Sequence, residues 1–181
     1  MTFSRYLKNP VIALPLAALA AFALYAPEEW VSSATWLSVP FNVMSSIFQP
    51  ITAYTRNSAF PSITQAYMTF SFALVPLHFW FAYKGLRMPT KEVWHANLWT
   101  IKSYGEFAKR VSLVLLMCCA VFVTLFLKTG YDFNLLPINS SRLALALVGW
   151  AFAGAIQAWI LAWIYCNLLV FSQFLRSKSN G

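Results

Sequence analysis

Four apolar runs set the pattern of this chain: Pro10–Ala26, Ala66–Tyr83, Val111–Leu127 and Leu143–Phe171, each bounded by polar or charged residues. None of them contains an Asp, Glu, Lys or Arg. A helix rises about 1.5 Å per residue and a bilayer core is about 30 Å thick, so runs of this length predict membrane-spanning helices. The first, about 25 Å as a helix, is at the short end of the range. The fourth would extend about 43 Å and must tilt, kink or project beyond the hydrocarbon.

Local signals refine each run. Arg5 and Lys8 precede the first, and Ala21-Phe22-Ala23 matches a leader-cleavage pattern, yet the run reads as a retained first helix. Ser62 with Gln65 forms a capping-box pattern ahead of the second run. Inside that run, Pro76 lacks a backbone donor and should kink the helix, freeing a carbonyl near Phe72.

The connections are patterned too. In residues 27–65, Pro27-Glu28-Glu29 is a helix start, with acids at the positive end of the helix dipole. Trp30, Ala34 and Leu37, then Phe41, Met44 and Phe48, recur at helical spacing between Pro27, Pro40 and Pro50. Two short amphipathic helices are expected, lying on the membrane face, on a partner or over the chain's own bundle. In residues 84–110, Thr90 can cap a helix running towards Arg110. Lys91, His95, Lys102, Glu106 and Lys109 would share one stripe, opposite Val93, Trp94, Leu98, Ile101 and Tyr104. That predicts a basic in-plane helix at the inner leaflet, with Glu106 and Arg110 in the favourable ion-pair spacing.

Charge then orients the whole. Residues 1–9, 84–110 and 172–181 carry +2, +4 and +2, whereas residues 27–65 and 128–142 carry −1 and +1. Basic loops stay in the cytoplasm, so 27–65 and 128–142 are read as extracytoplasmic. The expected fold is an all-α integral membrane protein with four transmembrane helices (N-in/C-in) plus short interfacial amphipathic helices, one domain over residues 1–181. Composition agrees, with 60% apolar and only 10% charged residues, where soluble domains carry about 25%. The net charge of +8 would suit nucleic acid in a soluble protein. Because these charges flank apolar runs, anionic lipid head groups are the expected partner and nucleic acid is not.

Candidate chemistry is sparse. Spans without a carboxylate do not suit ion-coupled transport, which keeps an ionisable group at membrane depth; four-helix drug exporters rely on such a glutamate. Four-helix thiol oxidases need paired cysteines in outer loops, whereas Cys118, Cys119 and Cys166 all lie inside runs. His78 is the one imidazole within a span. Haem held by two histidines would need a second one at depth, so His78 is read as bonded to a carbonyl freed by Pro76, or to water. Gln157 and Asn167 are candidates for bonds between helices, or for lining a polar path. Gly154, Ala158 and Ala162 form a stripe for close helix packing. Lys84, Arg87, Lys91, Lys102, Lys109 and Arg110 are the candidates for contact with lipid phosphates or an acidic partner. Asn139-Ser140-Ser141 matches a glycosylation sequon but reads as the cap of the fourth helix.

No P-loop, dinucleotide fingerprint or hydrolase motif occurs, so no cofactor, metal or catalysis is expected. The reading is a non-catalytic, multi-pass protein of a bacterial inner membrane. It would act as a subunit or assembly factor of a larger complex, as in a secretion or conjugation system, with other membrane proteins as partners. The alternatives are a small channel or carrier lined by His78, Gln157 and Asn167, and an immunity or exclusion protein acting through residues 27–65.

Overall fold

Asn9 starts the first helix: its side-chain oxygen accepts from the Val11 amide at 3.1 Å, and Pro10 fills the first position, where no donor is needed. The computed structural model describes residues 9–87, 101–127 and 137–179, and among these every regular element is helical. Helix α1 (Pro10–Tyr25) leads through Ala26 and Pro27 into a folded connection. This contains α2 (Glu28–Ser33), a 3-10 turn (Thr35–Leu37), α3 (Ser38–Ile47) and α4 (Gln49–Arg56). Three short α-helices form where the spacing predicted two. Pro40 and Pro50 fall in the first turns of α3 and α4, so they open helices instead of ending them.

The second run is two helices, α5 (Pro61–Ala73) and α6 (Val75–Arg87), interrupted at Leu74. The kink anticipated from Pro76 is a one-residue interruption at Leu74 (φ −83°, ψ −5°), whose amide turns back to the Ser71 carbonyl at 3.1 Å. The capping box expected from Ser62 and Gln65 is absent. Pro61 is already the first helical residue, so Ser62 lies within the helix and cannot cap it. Its amide instead donates to Glu28 Oε1 at 3.0 Å, and Gln65 Nε2 donates to Ser45 Oγ at 3.4 Å. A carboxylate from α2 thus caps α5. Replacing Glu28 with Ala should cost about 1–3 kcal/mol and speed amide exchange at the start of α5, while Gln retains an acceptor and most of the protection.

The third run begins further upstream than the apolar stretch itself. Ser103, in extended conformation, accepts from the Glu106 amide at 3.2 Å, and Glu106 Oε2 accepts from the Lys102 amide at 3.0 Å. This box starts α7 (Tyr104–Phe122), which continues as a π-helical turn (Val123–Leu127). The helix expected to run from Thr90 to Arg110 is thus corrected over its described part. Residues 101–103 are not helical, so Lys102 precedes α7 and does not share a helical stripe with Lys109. Thr90, Lys91 and His95 lie outside the described residues.

The fourth run forms a helical stretch of 38 residues, Arg142–Ser179. Ser141 caps α8 (Arg142–Ala144) through the Ala144 amide at 3.3 Å. Two π-helical turns follow, Leu145–Gly149 and Ala151–Ala155, and then α9 (Ile156–Ser179). Ala153 (φ −86°, ψ 41°) and Gly154 (φ 112°) leave helical geometry, so the over-long run is kinked and also extends past the apolar residues. Tyr104–Phe126 and Arg142–Ser179 are each long and apolar enough to cross a membrane, with 18-residue stretches of mean hydropathy 2.0 and 1.8. The first and second runs form the shorter α1 and the α5–α6 pair.

The stretch α5–α6 runs alongside Arg142–Ser179 in the same direction. Tyr67 meets Trp150, Phe72 and Val75 meet Gly154, and Phe79 and Tyr83 meet Tyr165. Helix α7 runs the opposite way, with Phe107 against Phe171 and Phe174 at 5.1 and 5.3 Å between ring centres. At the far end, Arg142 Nη1 donates to the Ala26 carbonyl at 2.9 Å and its guanidinium lies over Phe60, while the Ala59 amide donates to the Asn139 carbonyl. Each end of the bundle is thereby closed by its own contacts.

Candidate functional site

Where the two interrupted helices cross, the breaks lie against each other. A Cβ placed on Gly154 would stand 2.3 Å from Val75 Cγ2 and 3.3 Å from Phe72 Cδ1. No side chain fits there, and the positive φ independently favours glycine. Ala158 and Ala162 continue the same face and are fully buried, as is Ala82 on α6. The small-residue stripe thus lies inside this chain, on the side of α9 turned away from solvent.

A strip of polar groups follows the crossing. Tyr67, Ser71 and His78 sit at i, i+4 and i+11, one face of the α5–α6 stretch, and all three are buried. Tyr67 Oη accepts the Trp150 amide at 3.0 Å, a donor that the π-helical turns leave without a normal helical partner. The Tyr67 ring lies so close to Gly149 that a Cβ there would meet Cε1 at 2.8 Å. The imidazole of His78 lies over the Trp150 ring, 6.2 Å between centres, and its backbone amide donates to the Leu74 carbonyl. Gln157 Nε2 reaches the Phe152 carbonyl at 3.5 Å, and Asn167 Nδ2 the Trp163 carbonyl at 2.9 Å. These two amide N–H bonds, expected to cross between helices, stay on their own helix, because the distorted turn before Gln157 and the carbonyl four residues before Asn167 are nearer. Gln157 Oε1 and, one turn before the other break, Thr69 Oγ1 are buried without a hydrogen-bond partner among the described residues. Sequence reasoning singled out His78, Gln157 and Asn167 but passed over Tyr67, Ser71 and Thr69. The spacing of Tyr67, Ser71 and His78 across Pro76 was the available signal.

The basic residues are placed separately, at the end of the bundle where α7 begins. Lys84 Nζ lies 4.7 Å from the centre of the half-exposed Trp80 ring, and Arg87 closes α6. Arg110 pairs with Glu106 at 2.8 Å, the expected i,i+4 ion pair. The Lys102 amide, and after it the Arg110 guanidinium, hold the Glu106 carboxyl below the ordinary glutamate range. Lys102 and Lys109 are exposed, as are Arg176 and Lys178 at the end of α9. Among the described residues, no group of three His, Cys, Asp or Glu side chains could hold a metal.

At the opposite end, α3 turns Phe41 inward and leaves Val39, Val43 and Ile47 exposed, continuing a line from Trp36 in the preceding turn. Beside it is a crevice of about 240 Å³ with Thr35, Ser38, Asn42, Ser62 and Gln65 in its walls. An apolar groove of about 490 Å³ follows the outer side of the Arg142–Ser179 kink, framed by Trp150, Ile156 and Trp159. Cys118 and Cys119 are exposed on α7 and Cys166 is buried, and none of the three is in a disulfide. Comparison with protein-family models, characterised proteins and solved structures finds no match for this chain.

Proposed function

We propose that this chain is a four-span protein of a bacterial inner membrane, with both termini and the Lys84–Arg110 segment in the cytoplasm. In this reading it acts by binding other membrane proteins, as a non-catalytic subunit or assembly factor of a larger complex such as a secretion or conjugation system. One observation carries the reading. The folded outer connection buries Leu37 and Phe41, and its 3-10 turn and α3 then present Trp36, Val39, Val43 and Ile47 outward at helical spacing. Apolar side chains held outward on a positioned helix suit a partner surface more than a loop free in water. Helix α7 adds a second outward apolar surface: only 17% of its most apolar stretch is buried, against 44% for Arg142–Ser179. The exposed basic residues at the other end are suited to anionic head groups or an acidic partner.

A photo-crosslinking residue at Val43, activated in native membranes, tests this. A discrete protein adduct that is lost when Trp36 and Ile47 become Ser is the expected result. Adducts with lipid alone would refute the reading. The buried polar strip of Tyr67, Ser71, His78 and Gln157 favours a second reading, a small channel or carrier. Solute flux in liposomes that falls on replacing His78 and Gln157 with Ala would support it, and unchanged flux would exclude it.

A further inference from the structure

We infer that the bundle is built as two bodies that turn against each other at a joint, the crossing of the Leu74 and Ala153–Gly154 interruptions. The buried residues themselves divide there. One cluster contains residues of α1, the outer connection and α5 up to Phe72, joined by Val121, Leu125, Ile138, Leu145, Ala146 and Ala153. The other contains Ile101, Val114, Ile164, Val170, Phe171 and Phe174. The buried members of the first cluster on the two broken helices lie before a break or, for Ala153, in it, with Val75 and Leu161 packed on them from just beyond, and the α9 members of the second follow a break. Ile160 packs on both clusters from the level between them.

Phe72 and Val75 close tightly on Gly154 at the crossing and would form its pivot. Beyond them, the layer between α6 and α9 is lined by small or polar buried side chains: Ala82, Ala155, Ala158, Ala162, His78 and Gln157. Small side chains interdigitate little, so a shift between α6 and α9 unlocks few knobs from holes. Both broken helices have a weak point where a hinge can absorb rotation: Pro76 withholds a helical donor after Leu74, which keeps near-helical angles, and Gly154 stands at φ 112°. Helix α7 crosses this level without a break, but it contributes Val114 to one body and Val121 and Leu125 to the other. Between these it leaves Leu115, Leu116, Cys118, Cys119 and Ala120 exposed, so it bridges the joint without clamping it. Thr69 Oγ1, before the joint, and Gln157 Oε1, in it, are buried without hydrogen-bond partners among the described residues and are groups that a second arrangement would pair.

Pulsed electron–electron distance measurements in lipid nanodiscs, with the native cysteines replaced by Ala, test the joint. Spin labels at Asn57 and Leu175 report across it; Asn57 with Leu143, and Lys84 with Leu175, report within each body. The cross-joint distribution is expected to be about twofold broader than either control, and Pro76→Ala, which restores the missing donor, is expected to narrow it towards them. A cross-joint distribution as narrow as the controls overturns the proposal, whether or not the variant folds. Unchanged breadth in a folded Pro76→Ala protein overturns it as well. Amide exchange at residues 74–78 and 153–157 that is faster than in both flanking helices is the accompanying result expected from the unaltered protein.

Discussion

Gly154→Ala is expected to destabilise the folded bundle by about 2–5 kcal/mol. Two costs combine. An L-residue at φ 112° loses about 1–2 kcal/mol through its own backbone, and the added Cβ meets Val75 Cγ2 at 2.3 Å in a place with no free volume. Overpacking of that kind costs about 1–3 kcal/mol. The two contributions separate in a double variant. Adding Val75→Ala relieves the contact but not the backbone strain, so the pair should recover part of the loss and never all of it. Denaturation in mixed detergent micelles, followed by helical circular dichroism, measures both. Stability equal to the unaltered protein in Gly154→Ala would mean that the Arg142–Ser179 helix is continuous and the crossing described above is wrong.

Tyr67→Phe should cost about 1–3 kcal/mol although it removes a single oxygen. The phenol ring fills the space left by Gly149, and Phe preserves that packing, so the substitution isolates the hydroxyl. What it removes is the side-chain acceptor of the Trp150 amide, a part-buried donor displaced from regular helical bonding by the π-helical turns on either side. In the proposed membrane setting no water replaces the lost partner. The loss should accompany altered Trp emission and faster exchange of the Trp150 amide. A variant as stable as the parent, with that amide still protected, would show that Trp150 bonds along its own helix.

What could be read from the sequence was local in origin. The apolar runs are visible because helix length and hydrocarbon thickness impose the same length scale, and the interruption after Phe72 follows from the missing donor of Pro76. That the fourth run had to bend or overrun also follows from its length, and it does both. The position of the bend does not follow from length. Gly154 is special because of Val75, a residue 79 positions earlier, and no spacing rule within the run reports that contact. The start of α5 was misplaced for the same reason: its cap is Glu28, brought back by the fold of α2, and not the nearby Ser62–Gln65 pair. The start of α7 was different, since Ser103 and Glu106 have capping-box spacing in plain view. A helical stripe of lysines upstream matched a stronger expectation and obscured it. At the candidate site, His78 and Gln157 stood out as polar residues in apolar runs, whereas Tyr67 and Ser71 offered only the weaker signal of their spacing with His78, and the contact of Tyr67 with Gly149 and Trp150 is long-range.

Both readings of the function rest on the same orientation in a membrane, with the outer connection on one side and the basic end of the bundle on the other. Cysteine labelling with a membrane-impermeant maleimide tests that orientation most directly. Cys118, Cys119 and Cys166 would first be replaced by Ala, and single cysteines placed at the exposed positions Asn57 and Lys102. In intact cells, made permeable only in their outer barrier, position 57 should label at once and position 102 only after the inner membrane is opened. Labelling of position 102 in intact cells, or protection of position 57, would contradict the four-span arrangement.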